Sequence, residues 1–155
     1  MPERDSLKAE DNVRNKKGFS LLELLIVVAI ILIIATIAIP SLLRSRQAAN
    51  ESAAVATLRT LNTAEVTYAS AGGGVYGTMS QLVASGLADS SLQNLKSGYN
   101  FTITLSSNLL DYTVFATAAS SNGGRFDYYT TPDYLIRYTT ITSRAPAGLA
   151  GEPVH

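Results

Sequence analysis

The chain has 155 residues with 12 basic and 12 acidic side chains, so its formal net charge is zero. This balance gives no general argument for nucleic acid or an acidic substrate as a partner. The absence of cysteine excludes disulfides, thiolate metal sites and a cysteine nucleophile. The length is sufficient for one domain with appended segments.

The charged residues are concentrated at the N-terminus. Residues 1–18 carry nine of the 24 charged groups, whereas residues 19–39 carry one, Glu23. The sequence therefore divides into a charged leader (1–18), an apolar segment (19–40) and a long remainder of mixed composition.

The apolar segment has the length of a membrane-spanning helix. Residues 19–39 would extend over about 31 Å as a helix, close to the ~30 Å hydrocarbon thickness of a bilayer. A wholly apolar core helix of this length would need a larger protein around it. A secretory signal peptide has a shorter apolar region, and the A-x-A cleavage site of such a peptide is absent at the end of this one. We therefore expect a single membrane span.

Basic residues on both sides of this segment predict its orientation. Arg14, Lys16 and Lys17 precede it, and Arg44 and Arg46 follow it. The N-terminal side is the richer in positive charge when the whole leader is counted. The sequence thus predicts a cytoplasmic N-terminus.

Glu23 is an unusual residue near the start of a membrane span. A carboxylate at mid-bilayer costs roughly 2.5–3.5 kcal/mol on insertion scales and less near an end. If residues 1–18 stay attached, Glu23 could reach the headgroups and water. If the chain is cut between Gly18 and Phe19, the new α-amino group could pair with Glu23 of a neighbouring subunit, strongly so at low dielectric.

The segment "KKGFSLLELLIVVAIILIIATIAIP" resembles the N-terminal signature of type IV prepilins and type II secretion pseudopilins. It contains a basic leader ending in Gly18, then Phe19, Glu23, a Leu/Ile/Val/Ala run and Pro40. The resemblance is close over residues 16–46 and weaker as far as residue 68. The leader departs from the commonest form in its length and acidic residues, and the cysteine-bounded C-terminal loop of many type IV pilins is missing.

The resemblance implies a role for each motif residue. A prepilin peptidase would cleave after Gly18 and methylate the amine of Phe19. Glu23 would pair with the Phe19 amine of a neighbouring subunit during assembly. Pro40 would kink or loosen the helix, because proline lacks a backbone donor and clashes with the preceding turn. No cofactor and no metal are implied.

Residues 41–70 are predicted to continue the helix as an amphipathic segment. Apolar residues recur there at steps of three and four, which indicates one packed face: Ala54, Leu58, Leu61, Ala64 and Tyr68. We assign three polar residues to the opposite, exposed side: Glu51, Arg59 and Asn62. Three consecutive glycines, residues 72–74, then predict the end of the helix.

Residues 71–143 are predicted to form a small antiparallel β-sheet head. A short helix in "TMSQLVASGL" would begin at Thr78 or Ser80 and stop at Gly86. The alternating segment "GYNFTITLSS" indicates a half-buried strand, and "DYTVFATAA" and "YLIRYTTIT" read as two more. The apolar face of the first strand is expected to contact Leu58 and Leu61. The tail, residues 144–155, is rich in Pro, Gly and Ala and is predicted to be flexible.

Two clusters of residues in the head can be interpreted either as a functional site or as ordinary structural residues. Asp127 and Asp133 could contribute to a loop Ca²⁺ site, as in many pseudopilins, although surface turn residues are the default interpretation. Four tyrosines and two arginines could form a binding surface, but sheet packing is the favoured reading: Tyr128, Tyr129, Tyr134, Tyr138, Arg125 and Arg137. Since no His lies near a Ser or Asp in a usable pattern, we expect no enzyme.

The sequence predicts an α+β, pilin-like fold and a structural subunit of a type IV pilus-like filament. Its implied partners are further copies of itself, a prepilin peptidase and an inner-membrane assembly machinery, with no nucleic acid. It would lie in the inner membrane before assembly, and in a surface filament or periplasmic pseudopilus afterwards. The alternatives are a major pseudopilin of type II secretion and an unprocessed, single-pass membrane-anchored binding protein. Adhesion, motility, DNA uptake and secretion are not distinguished.

Overall fold

A computed structural model describes residues 18–140 and 144–155. Its first element is the 51-residue helix α1, Leu21–Ala71, and the chain divides into two compact units between Ala38 and Ile39. Helix α1 continues through Pro40, whose nitrogen cannot donate to the carbonyl of residue 36. The kink or loosening expected at Pro40 stays a prediction. The helix ends directly before the three glycines, as the sequence predicts.

The unit formed by residues 39–155 contains the α+β fold. Its four strands form one antiparallel sheet in the order β1-β2-β3-β4. Strands β1 and β2 pair over seven residues, from Tyr99 opposite Ala118 to Leu105 opposite Tyr112. The remaining elements are α2 (Met79–Ala84), a 3₁₀ turn (Ser90–Gln93), β1 (Tyr99–Leu105), β2 (Tyr112–Ala118), β3 (Tyr128–Thr130) and β4 (Ile136–Tyr138).

Local sequence explains the short helix α2. Thr78 is its N-cap and accepts a hydrogen bond from the Gln81 amide, while the Gln81 side chain accepts one from the Thr78 amide. This reciprocal capping box satisfies two backbone donors that the first turn leaves free. Gly86 follows the helix with φ +72°, a left-handed conformation that glycine adopts without strain. The predicted cap and stop are both confirmed.

The core combines the α1 stripe with the inner face of the sheet. Ala54, Leu58, Leu61 and Ala64 are buried in one cluster that also contains Tyr99. The following strand residues belong to the same cluster: Phe101, Tyr112, Val114, Ala116, Tyr128 and Ile136. The exposure of Asn100, Thr102 and Thr104 between these apolar positions confirms the alternation predicted for β1.

The prediction that Glu51 and Asn62 lie on the exposed side of the helix is wrong, because both are buried. Glu51 precedes Ala54 by three residues and Asn62 follows Leu58 by four, so helical geometry places both on the packed face. Only Arg59 of the three polar residues is exposed. The buried polar groups are tolerated because each has hydrogen-bond partners.

The third predicted strand is shorter in the structure, and β3 was not predicted. A turn formed by residues 131–134 separates β3 from β4, with a hydrogen bond of 3.0 Å from the Tyr134 amide to the Thr131 carbonyl. Asp133 Oδ1 stabilises this turn by accepting bonds from the Thr131 hydroxyl and the Leu135 amide. Tyr134 and Leu135 are therefore exposed turn residues. Residues 141–142 of the predicted strand lie outside the described part of the chain.

The tail differs from the flexible segment that its composition predicts. The Val154 amide donates to the Ile136 carbonyl at 2.8 Å, and the Gly151 amide donates to the Tyr138 carbonyl at 2.9 Å. The Arg144 guanidinium donates to the carbonyl groups of Ala118 and Gly124. These bonds attach the tail to β4 and to the segment after β2.

Candidate processing and assembly region

The N-terminal part of α1 exposes a continuous apolar surface. Every described side chain from Leu21 to Ile34 is exposed, and Leu21 and Ile30 expose 82% and 52% of their surface. Exposed apolar area is unfavourable in water by roughly 25 cal/mol per Å². Within the described residues, α1 is the one helix long and apolar enough to cross a membrane. Such a surface needs lipid or another protein around it.

Gly18 lies in open space. A Cβ atom added to Gly18 would meet no other atom within 4 Å. No close approach within the described chain therefore requires glycine at this position. A requirement for glycine would have to come from a partner that binds this segment.

Phe19 and Glu23 lie at the N-terminal end of α1. Phe19 is 81% exposed and precedes the helix, whose first turn contains Glu23. The Leu24 amide donates to the Ser20 carbonyl at 3.1 Å, which closes this first turn. A carboxylate in the first turn is favoured by about 0.3–1 kcal/mol through the helix dipole. This offsets part of the cost of placing Glu23 in an apolar segment.

Glu23 has no cationic partner within salt-bridge distance among residues 18–140 and 144–155. Gly18, Phe19 and Glu23 lie within six consecutive positions, and the structure places these positions at the N-terminal end of α1. Pro40 lies seventeen positions after Glu23 in the chain.

The two aspartates considered for Ca²⁺ have other partners. Asp127 is buried, accepts a 2.7 Å hydrogen bond from the Ala118 amide and lies 3.7 Å from Arg144 Nε. Asp133 pairs with Arg137 at 2.6 Å, and the hydrogen bond from Arg137 lowers the pKa of Asp133 to about 2. No cluster of three or more potential metal ligands occurs in the described ranges.

The aromatic cluster packs the sheet rather than forming one exposed patch. Tyr128 is buried, and its ring centroid lies 5.6 Å from that of Tyr138. Phe126 meets Tyr138 edge to face at 5.6 Å. Tyr129 packs against Phe115 at 6.2 Å. The packing interpretation is thus the better one for these tyrosines.

Three buried polar contacts between α1 and the head were not predicted. Glu51 accepts three bonds of 2.7–3.0 Å from Arg125, two from its guanidinium and one from its amide. Asn62 donates to the Thr130 hydroxyl at 2.8 Å and accepts from the Tyr112 hydroxyl at 3.0 Å. These bonds fix the position of the helix against the sheet.

The third contact involves Glu65, which is completely buried. Its Oε2 accepts a 2.9 Å hydrogen bond from the Gly77 amide, while its Oε1 has no partner among the described residues. Burial raises the pKa of Glu65, and the bond from Gly77 partly opposes this effect. Glu65 follows the buried Leu61 by four residues, and this helical spacing was the sequence signal that could have predicted its burial.

Comparison with known proteins supports the class that the motif indicates. The family model for the prokaryotic N-terminal methylation motif matches residues 13–39. This match covers Arg14, Lys16 and Lys17, the Gly18-Phe19 pair and the apolar part of α1. It supports membership of the type IV pilin and pseudopilin family, whose members are structural subunits.

A particular relative supports the same family. The type IV wide pilus major component PilA4 of Thermus thermophilus is 54% identical over 46 residues. The aligned segment covers 30% of this chain and 35% of the relative, so the chain matches about a third of that protein's length. No solved structure matches the chain at a significant level.

Proposed function

We propose that this chain is the structural subunit of a type IV pilus-like filament, which polymerises through α1 after cleavage by a prepilin peptidase. One observation carries the proposal. The methylation motif over residues 13–39 includes the start of an exposed apolar helix with Glu23 in its first turn. The motif accounts for processing, and the exposed helix accounts for assembly.

Processing follows from the residues around Gly18. Lys16 and Lys17 hold the cleavage point at the cytoplasmic face, because positive charge is retained there. Gly18 suits a narrow protease subsite, since it has no side chain and no described residue lies within 4 Å of where its Cβ would be. Cleavage leaves Phe19 as the first residue, with a positive amine that the same enzyme methylates.

Assembly then requires a partner for that amine. A positive group buried without a partner in an apolar surrounding is strongly unfavourable. Glu23 of a neighbouring subunit supplies the compensating charge, which insertion alone would not favour. If the helix extends to Phe19, amine and carboxylate are separated by about 6 Å along one chain. A neighbour displaced axially by about that amount brings the two groups together.

The proposal also gives the location of the chain. Before assembly, it is a single-pass inner-membrane protein with its N-terminus in the cytoplasm. An inner-membrane assembly machinery then transfers it into a filament of identical subunits. The relative is named as a major component of a wide type IV pilus, which favours a surface pilus over a secretion pseudopilus. Electron micrographs of wild-type and deletion strains distinguish these two.

Glu23→Ala tests the assembly step. We expect unchanged membrane insertion and Gly18 cleavage but a loss of filaments, because the Phe19 amine has no partner. The measurement is the fraction of the protein in sheared surface filaments against membranes, with cleavage followed by gel shift. Thr36→Ala is the matched control, since it removes an exposed polar group from the same helix without removing a charge. Wild-type filament yield from Glu23→Ala would contradict the proposed charge pair.

A further inference from the structure

The head carries an exposed apolar loop at one end of the β1–β2 hairpin. We call Leu109, Leu110 and Asp111 the hairpin tip. The two leucines expose 41% and 60% of their surface, and Asp111 is also exposed. Leu109 has φ +59°, a left-handed conformation that is uncommon for a residue with a side chain. The loop thus holds two leucines in water.

Hydrogen bonds hold the hairpin tip in one conformation. The Ser106 amide donates to the Asp111 carbonyl at 2.9 Å, and the Leu109 amide donates to the Ser106 carbonyl at 3.0 Å. The Tyr76 amide donates to the Leu109 carbonyl at 2.9 Å, which fixes the tip near the C-terminal end of α1. A preformed loop loses little conformational entropy when it binds.

A cleft of about 490 Å³ lies at the other end of the same hairpin. Leu43, Arg46 and Leu95 line it, together with Gly98 before β1 and Ala119 after β2. Leu43 and Leu95 expose 37% and 58% of their surface. Arg46 is exposed and makes no ion pair with any residue that the structure describes. The cleft therefore offers apolar side chains beside an uncompensated positive charge.

The walls of the cleft are also fixed. Asn50 Nδ2 donates to the Gly123 carbonyl at 2.8 Å, and Gln47 Nε2 donates to the Ser121 carbonyl at 2.7 Å. These bonds connect α1 to the loop between β2 and β3. The cleft is thus present in the single subunit and does not need a partner to form.

We propose that the hairpin tip of one subunit docks into this cleft of a second copy of the chain. The two surfaces are complementary: leucines meet leucines, and Asp111 meets Arg46. The inference rests on the proposed filament function and specifies a contact between heads, distinct from the pairing of Glu23 with an amine.

The positions of the two surfaces are compatible with an open polymer. The seven residue pairs between the tip and the cleft extend over about 24 Å along the strands. The 25 residue steps from Arg46 to Ala71 rise by about 38 Å along α1. Because tip and cleft are different patches at opposite ends, the contact is head-to-tail and can repeat without closing. A subunit shifted by a distance of this order from tip to cleft would place its tip in the cleft of the next.

Disulfide trapping in filaments of the full chain tests the contact directly. The natural sequence has no cysteine, so every disulfide arises from introduced residues. The double variant Leu43→Cys/Leu110→Cys should give a ladder of covalent multimers on oxidation with copper phenanthroline. Each single variant should stay monomeric. The matched control is Leu42→Cys/Leu110→Cys, because Leu42 is 71% exposed on the same helix but does not line the cleft.

Charge reversal gives a second readout on the same filaments. Arg46→Glu should lower filament yield at least about tenfold, since it places a like charge opposite Asp111. The double variant Arg46→Glu/Asp111→Arg should restore the yield to within about twofold. Arg44→Glu is the control, because this exposed arginine does not line the cleft. Rescue by the double reversal excludes a general folding defect as the cause.

The outcomes separate this inference from the proposed function. Wild-type filaments without a ladder and without charge rescue would overturn the head contact and leave the filament function intact. A closed covalent dimer instead of a ladder would overturn the head-to-tail arrangement. Cross-linking of the tip to a different protein would also overturn it. If the wild-type chain forms no filaments, the proposed function and this contact fail together.

Discussion

Glu65 gives a specific prediction about how stability depends on pH. Its carboxylate is completely buried, accepts one hydrogen bond from Gly77 and has a second oxygen without a partner in the described chain. Tyr112 on β2 lies close enough to interact electrostatically with Glu65, and burial raises the pKa of Tyr112, so its hydroxyl is uncharged at neutral pH. The perturbation is Glu65→Gln, which keeps an acceptor for the Gly77 amide and removes the charge.

The size of the effect follows from the charge on the unpaired oxygen, because Glu65→Gln puts a neutral unpaired amide in the place of a charged unpaired carboxylate oxygen. A buried polar group without a partner costs roughly 1–3 kcal/mol, and more when it is charged. Because burial raises the pKa of folded Glu65 above 4.5, the native state binds more protons than the unfolded state at pH values above 4.5. Stability contributed by Glu65 therefore falls as pH rises through this range. We expect Glu65→Gln to be more stable than wild type by on the order of 1 kcal/mol at pH 7.5, since only the extra cost of the charge is removed.

Thermal unfolding of the detergent-solubilised full chain measures this difference. Near-ultraviolet circular dichroism reports the head, since all eight tyrosines lie from residue 68 onward. The difference between the two proteins should shrink as pH falls from 7.5 towards 4.5, because a growing fraction of wild-type Glu65 is then protonated. Asp133 does not disturb this comparison, because it stays ionised over this pH range and is present in both proteins. A constant difference between pH 5 and 7.5, or a less stable Gln variant at pH 7.5, would refute the reasoning.

Two further substitutions test the core by the same unfolding measurement. Phe101→Ala should lower the free energy of unfolding by about 3–5 kcal/mol, because it removes a buried ring, whereas exposed Thr102→Ala should change it by less than about 0.5 kcal/mol. Glu51→Ala should cost about 1–3 kcal/mol through its three bonds with half-exposed Arg125, and Arg59→Ala should have little effect. Equal costs within either pair would contradict the packing described.

The sequence predicts those parts of the fold that local patterns determine. The end of α1 follows from three glycines, the capping of α2 from Thr78 and Gln81, and the burial of β1 from strict alternation. In each case, neighbouring residues in the chain decide the structure. The processing motif is equally local, because the residues from Gly18 to Glu23 are contiguous.

Features that depend on distant pairing could not be read in the same way. Glu51 and Asn62 look like surface residues until Arg125, Thr130 and Tyr112 are placed beside them. Strand β3 has only three residues. It is a strand because it pairs with β2 and β4, and its own residues give little signal for a strand. The tail is held by backbone bonds to β4, which Pro, Gly and Ala content does not reveal.

The candidate site also combines residues that the local sequence identifies with features that only the folded structure shows. Its residues were predicted by their spacing and by resemblance, while the surroundings of Gly18 and the place of Glu23 in the first turn come from the structure. The hairpin tip and the cleft were not predicted, because each is assembled from separated segments. Recognition of the cleft in particular requires α1, the segment before β1 and the segment after β2 together.

The central claim is that the chain is cleaved at Gly18 and then assembled into a filament. The intact mass of protein from sheared surface filaments tests it most directly. The account predicts a chain that begins at Phe19 and carries one additional methyl group. Assembled filaments whose subunits retain residues 1–18 would contradict it.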